Sequence, residues 1–113
     1  MILDDARALA DKLRASEEYR AYQETRERAY ASKPTAALLD ELQKLRMKAQ
    51  AAAVAGKPDR DADEKLQKLG ELLQFDENAA AFLLAEYRLN TLVGDIYRVL
   101  AEAIDLDLGA LEA

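Results

Sequence analysis

Apolar residues in the last third of the chain fall at Phe82, Leu89, Val93, Ile96, Leu100 and Ala103, in steps of four and three once Glu86 is counted as an interruption. That spacing is a heptad-like seam. With no proline and one glycine between Ala79 and Ile104, it predicts one continuous helix. At 1.5 Å per residue such a helix is about 39 Å long, more than one short neighbouring helix covers. Nearer the start, Leu3, Ala6, Leu9, Ala10 and Leu13 share one face of a helix expected over Leu3 to Ala15. Ser16 then reads as an N-cap, followed by Glu17 and Glu18 where the helix dipole favours acids. The second helix runs to about Ala31 and is polar, with Tyr19 and Tyr22 on one face.

Pro34 breaks the chain, because proline disfavours helical backbone in the residue before it. Thr35 is the expected cap of a third helix that carries Leu38, Leu42, Leu45, Ala49 and Ala52 or Ala53. Gly56 closes it as a left-handed cap, and Pro58 follows at the usual distance. Asp61 with Glu64 resembles a capping box for a fourth helix over Ala62 to Phe75, bearing Leu66, Leu69, Leu72, Leu73 and Phe75. Asp76 or Asn78 caps the fifth. The short turn between the third and fourth helices predicts an antiparallel hairpin. Beyond Ile104, Leu106 and Leu108 alternate with acids, and Gly109 is expected to end the ordered chain.

Composition supports helices and little else. Of the 113 residues half are hydrophobic, but only seven are aromatic and four are glycine. Alanine and charged residues are good helix formers, and the β-branched residues a sheet needs are scarce. The length fits one domain spanning 1–113, with room for a core but not for a large enclosed substrate cavity. The fold class expected is all-α: an antiparallel bundle of about five helices with a long C-terminal helix, self-associating.

Charge and missing residue types narrow the chemistry. There is no cysteine and no histidine, which removes disulfides, thiolate nucleophiles, the usual zinc sites and histidine general bases. The net charge is −6, concentrated in the C-terminal half: residues 57–77 carry seven acids against four bases, and 78–113 six against two. Such a surface repels phosphate backbones, so direct nucleic-acid binding is not expected. Arg20, Arg26 and Arg28 are interleaved with Glu24 and Glu27 and read as a solvated face. Di-metal sites in helical bundles need histidines alongside glutamates, so no metal ligands and no cofactor are assigned. Asp61, Asp63 and Glu64 stand at a helix start, where capping explains them. The first residues lack the basic start and apolar run of a signal peptide, and no stretch reaches the ~20 apolar residues of a membrane span. The expected location is the cytoplasm.

The candidate site is therefore a surface. Phe82, Glu86, Leu89, Val93, Ile96 and Leu100 form the expected self-association seam. Glu86 lies on it, with Asn90 and Asp95 beside it. These three are candidate register or partner contacts, since a polar residue on a seam can fix alignment. For Glu86 the alternative is a place at the bundle edge with its carboxylate in water.

Three motifs in order resemble a known family. They are A-x-x-L-A-x-x-L-x-x-S-E-E-Y-x-x-Y from Ala6 to Tyr22, A-G-K-P-D from Ala55 to Asp59, and A-E-x-x-L-N-x-L-x-x-D-I from Ala85 to Ile96. With these spacings the chain resembles the YlbF/YmcA family of small bacterial proteins over about residues 3–108. The resemblance implies a helical protein that self-associates through long helices. It also implies a regulatory adaptor in a complex with a YaaT-type protein, acting on messenger-RNA processing by the endonuclease RNase Y and on competence, sporulation and biofilm formation. Some relatives bind iron–sulfur clusters through cysteines that this chain lacks. Alternatives are a helical self-assembling scaffold, or a carboxylate-dependent metal or RNA binder.

Overall fold

In a computed structural model, described for residues 1–105, the chain is five helices with no strand among the described residues. They are α1 (Ile2–Arg14), α2 (Glu17–Ala31), α3 (Lys33–Val54), α4 (Arg60–Leu73) and α5 (Glu77–Ile104). The all-α class and the long last helix are as expected. The expectation about Gly109 lies outside the described residues.

Capping decides where each helix begins, and two caps differ from expectation. Ser32, not Thr35, caps α3: its Oγ accepts from the Thr35 backbone N–H at 3.4 Å, while Lys33 and Pro34 form the first turn. Proline fits there because its missing N–H would have had no partner within the helix. Asp59, not Asp61, caps α4, accepting from the Ala62 N–H at 3.0 Å. Asp61 instead pairs with Lys65 one turn on, at 3.0 Å. Helix α4 also stops at Leu73, which leaves Phe75 in the turn and 88% exposed. Gly56 ends α3 as expected, with φ +76°. Its N–H donates to Ala53 O and that of Lys57 to Ala52 O, the two bonds of a Schellman cap.

The helices group into two compact units. The inner unit, Gln23–Leu83, holds the core. Leu39, Leu42 and Leu45 of α3 are buried, as are Ala62 and Leu73 of α4, Ala29 of α2, and Ala79 and Phe82 of α5. Helices α3 and α4 pack as the expected hairpin, with Lys48 reaching Asp59 at 3.7 Å. Leu39 rather than Leu38 is the buried residue of that pair, Leu38 being half-buried. Both positions suit a helical stripe through Leu42, and the neighbouring elements choose between them.

Aromatic and polar contacts finish this unit. The Tyr30 ring meets the Phe82 ring edge-on, centroids 6.0 Å apart, and the Arg26 guanidinium lies 4.8 Å over Tyr30. The one buried polar residue among those described is Thr35. Its hydroxyl donates to Asp76 Oδ2 at 2.5 Å, while Asp76 Oδ1 accepts from the N–H groups of Asn78 and Ala79 at 3.1 Å. Asp76 thus caps α5 and ties it to the start of α3.

The terminal unit is Met1–Tyr22 together with α5 from Leu84 onward. Ser16 joins α1 to α2: its hydroxyl donates to Leu13 O at 2.6 Å and accepts from the Tyr19 N–H at 3.1 Å. Tyr19 and Tyr22 stack with centroids 6.4 Å apart, as their shared face suggests. Among the described residues of this unit only Ala85 is buried.

Candidate interaction surface

Helix α1 has a well-formed apolar stripe and no buried residue. Ile2 is 84% exposed and Leu3 62%, so the first turns of the stripe stay largely open to solvent. Toward the other end it gains cover. Ala10, Leu13 and Arg14 line a shallow hollow of about 260 Å³ with Tyr19 of α2 and with Leu89 and Val93 of α5. The hollow is mostly apolar, and Arg14 is its one formal charge. An arginine that borders apolar side chains lays its methylenes along them and keeps its guanidinium in water.

The seam residues read from the sequence divide along α5. Phe82 is buried in the core of the inner unit against Tyr30. Glu86, Leu89, Val93 and Ile96 are half-buried, and Leu100 is 51% exposed. Cover therefore thins along the helix until, from Tyr97 to Ile104, every residue except the half-buried Ala101 is exposed. Tyr97, Leu100 and Ile104 follow the i, i+3, i+7 spacing of one helix face. Among the described residues, those last two turns are an exposed helix end with an apolar face.

Asn90 and Asp95 are exposed. Asp95 accepts from Arg98 at 3.2 Å, an i, i+3 pair open to solvent, where such contacts contribute little. Tyr87 and Arg88 border a second, more polar hollow with Glu18, Thr91, Leu92 and Asp95. No group of three or more acidic side chains able to hold a metal ion occurs among the described residues. No helix among them is long and apolar enough to cross a membrane.

Two features here exceed the sequence reading. The first is the uncovered N-terminal half of α1. Its stripe is plain in the sequence, but periodicity reports an apolar face without saying whether anything covers it. The second is the Thr35–Asp76 bond, which links residues 41 apart and leaves no local signal.

Comparison with known proteins bears on this surface. A family model described as control of competence regulator ComK, YlbF/YmcA, matches residues 2–105. A UPF0342 protein of Symbiobacterium thermophilum is 34% identical over 106 residues, covering 93% of this chain and 95% of that one. A UPF0342 protein of Halothermothrix orenii is 27% identical, covering 95% and 92%. Among solved structures, a protein of unknown function (DUF964) from Bacillus stearothermophilus superposes with TM-score 0.80 at 17% identity, covering 92% of each chain. Bacillus subtilis RicA, solved in complex with RicF, superposes with TM-score 0.61 at 20% identity, covering 92% and 93%. At those identities the two structures speak for the fold.

Proposed function

The chain belongs to the YlbF/YmcA family, and from that premise we propose that it is a non-enzymatic adaptor that self-associates and binds a second protein. The observation that carries this reading is the uncovered apolar surface of the terminal unit: the first turns of α1 and the last two turns of α5. Large apolar side chains left exposed along a helix face are the kind of surface that protein interfaces use. The half-buried Leu89, Val93 and Ile96 with Leu100 supply the anchors, and Glu86 fixes which partner helix fits alongside.

The family premise supplies the wider role. A relative of similar fold, RicA, assembles with RicF. By family resemblance the present protein acts in a complex with a YaaT-like protein that directs RNase Y in messenger-RNA processing, and so in competence, sporulation or biofilm formation. It works in the cytoplasm, and RNA is reached through the partners, in keeping with the −6 net charge.

Light scattering at micromolar concentration tests self-association, with a mass of two or four chains expected and a monomer overturning it. A tagged pull-down run with and without ribonuclease tests the wider role. Ribonuclease-resistant recovery of a YaaT-like protein or an RNase Y-type endonuclease is expected. Recovery of the bait alone leaves a self-assembling helical scaffold.

A further inference from the structure

The inner unit carries an open apolar groove that its own core does not fill. Leu45 of α3 and Leu69 and Leu72 of α4 form its floor, Glu41, Lys65 and Lys68 border it, and its volume is about 340 Å³. Leu72 is more than half exposed, and Phe75, three residues on, is almost wholly so. Phe75 is nevertheless held firmly. Its N–H donates to Leu72 O at 3.2 Å, and that of Asp76 to Leu73 O at 3.1 Å, between the buried Leu73 and the Asp76 cap of α5. A large aromatic fixed this way in water loses little conformational freedom on binding, which suits an interface anchor.

The charges at the groove cancel in sum but not in place. Lys65 is paired with Asp61 at 3.0 Å on the α4 side, and Lys48 with Asp59 at 3.7 Å on the α3 side. Of the bordering residues, that leaves Glu41 on the α3 edge and Lys68 on the α4 edge, neither in an ion pair among the described residues. Asp61 first, then Asp59 and Glu41, hold Lys65 above the usual lysine pKa, so the charge of Glu41 is felt across the groove. One acidic edge, one basic edge and an apolar floor between them suit neither a strongly acidic nor a strongly basic partner. They suit a second copy of the same groove. A two-fold axis along the groove lays the α3 edge of each copy against the α4 edge of the other. We propose that the α3–α4 groove is a self-complementary junction, in which two copies pack Leu69, Leu72 and Phe75 together and pair Glu41 with the partner's Lys68 at both edges.

Such a contact is isologous: the same patch serves both copies, and each edge pair occurs twice. Solvent-exposed ion pairs contribute little to affinity, so the apolar floor supplies most of it and the charges set the alignment. Every residue of the junction belongs to the inner unit. The junction rests on the self-association proposed above and gives it a second surface, apart from that of the terminal unit. One surface in use makes a pair of chains, and both in use join two pairs into four.

The test is sedimentation of full-length variants at low salt, all at exposed positions where the fold is kept. Glu41→Lys and Lys68→Glu are each expected to weaken association by about fivefold or more, since each sets like charges together at both edges of its own pair. An equimolar mixture of the two is expected to recover wild-type strength, because opposite charges then face each other again at both edges. Leu72→Asp is expected to weaken association by about tenfold or more. A mixture that recovers nothing, or an assembly that Leu72→Asp leaves unchanged, overturns the groove. Leu100→Asp keeps the two surfaces apart. Sensitivity to Leu100→Asp alone overturns the groove and leaves self-association through the terminal unit standing. Sensitivity to Leu72→Asp alone supports the groove and removes the terminal surface. A monomeric wild type overturns both and leaves the groove to a different protein.

Discussion

Leu73 and Leu3 are the same side chain on helices of similar length, yet Leu73 is fully buried and Leu3 is 62% exposed. The contrast extends to the units they belong to. Between Gln23 and Leu83, elements from four helices converge, and eight apolar residues have less than a tenth of their surface in water. In the terminal unit, α1 has an apolar stripe as well formed as that of α4, but its first turns, like the last turns of α5, stay exposed. The difference is not one of local helix formation. Ser16 caps α2 with as sound a hydrogen bond as Asp59 gives α4. One unit has enough apolar neighbours within the chain, and the other leaves apolar side chains exposed, the surface that the proposed function gives to a partner. Packing energy holds the first whatever the protein concentration, whereas the second gains by mass action when a partner binds.

Substitution in the buried region has the largest expected effect. Leu73→Ala removes a fully buried side chain from a packed core and should cost about 2–5 kcal/mol, read as a fall in Tm or in denaturant midpoint. Leu3→Ala on α1 should cost within about 0.5 kcal/mol in dilute monomer, as surface substitutions do. Equal costs would erase the distinction between the units. Concentration sharpens it: Leu3→Ala should become more damaging as protein is raised into the range where copies associate, and Leu73→Ala should not.

Gly56→Ala comes next. The added Cβ meets no atom within 4 Å, so the penalty is purely that of the left-handed φ of +76°. A cost of roughly 1–2 kcal/mol follows, measurable by urea unfolding. Glu86→Leu probes the seam directly. With Glu86 as a register contact, the variant should melt higher and give a mixture of assembly sizes. Unchanged mass and melting would place its role at the edge.

A pH effect is the smallest expected. The Thr35 hydroxyl, then the Ala79 N–H, hold the Asp76 carboxyl below its usual pKa, outweighing the opposing effect of burial. A carboxylate whose pKa is depressed on folding contributes stability above its unfolded value and loses it as pH falls through the folded one. Acid unfolding should therefore begin as pH drops below about 4, the ordinary aspartate value. In Asp76→Asn that acid-side slope should be shallower, with a lower Tm at neutral pH. Thr35→Val should lower Tm and move the carboxyl back toward its ordinary value, which side-chain NMR titration reads directly.

Much of the architecture was legible before any coordinates. Helix α5, the α3–α4 hairpin, the Gly56 stop and the Ser16 cap follow from apolar period and capping chemistry, which are local and need no knowledge of neighbours. The errors arose where two local solutions were equally good. Ser32 and Thr35 both cap well, and so do Asp59 and Asp61, and the tie is broken by where the preceding chain enters. At the candidate surface, the sequence placed six residues on one seam with no means of ranking them. The structure divides them: Phe82 is buried in the inner core, Leu89 and Val93 border a hollow of the terminal unit, and Leu100 stays open.

The sequence by itself determined that the chain is helical, where its helices lie, that it lacks the side chains for thiol or histidine chemistry, and that apolar surface recurs along α1 and α5. Helical propensity, period and composition are properties of short segments, and the chain states them directly. Only the tertiary structure decided which apolar faces meet each other. It buried Leu39 over Leu38, joined Thr35 to Asp76 across 41 residues, and left the ends of α1 and α5 uncovered. Burial depends on what lies opposite a face in space, and no pattern along a single helix encodes that.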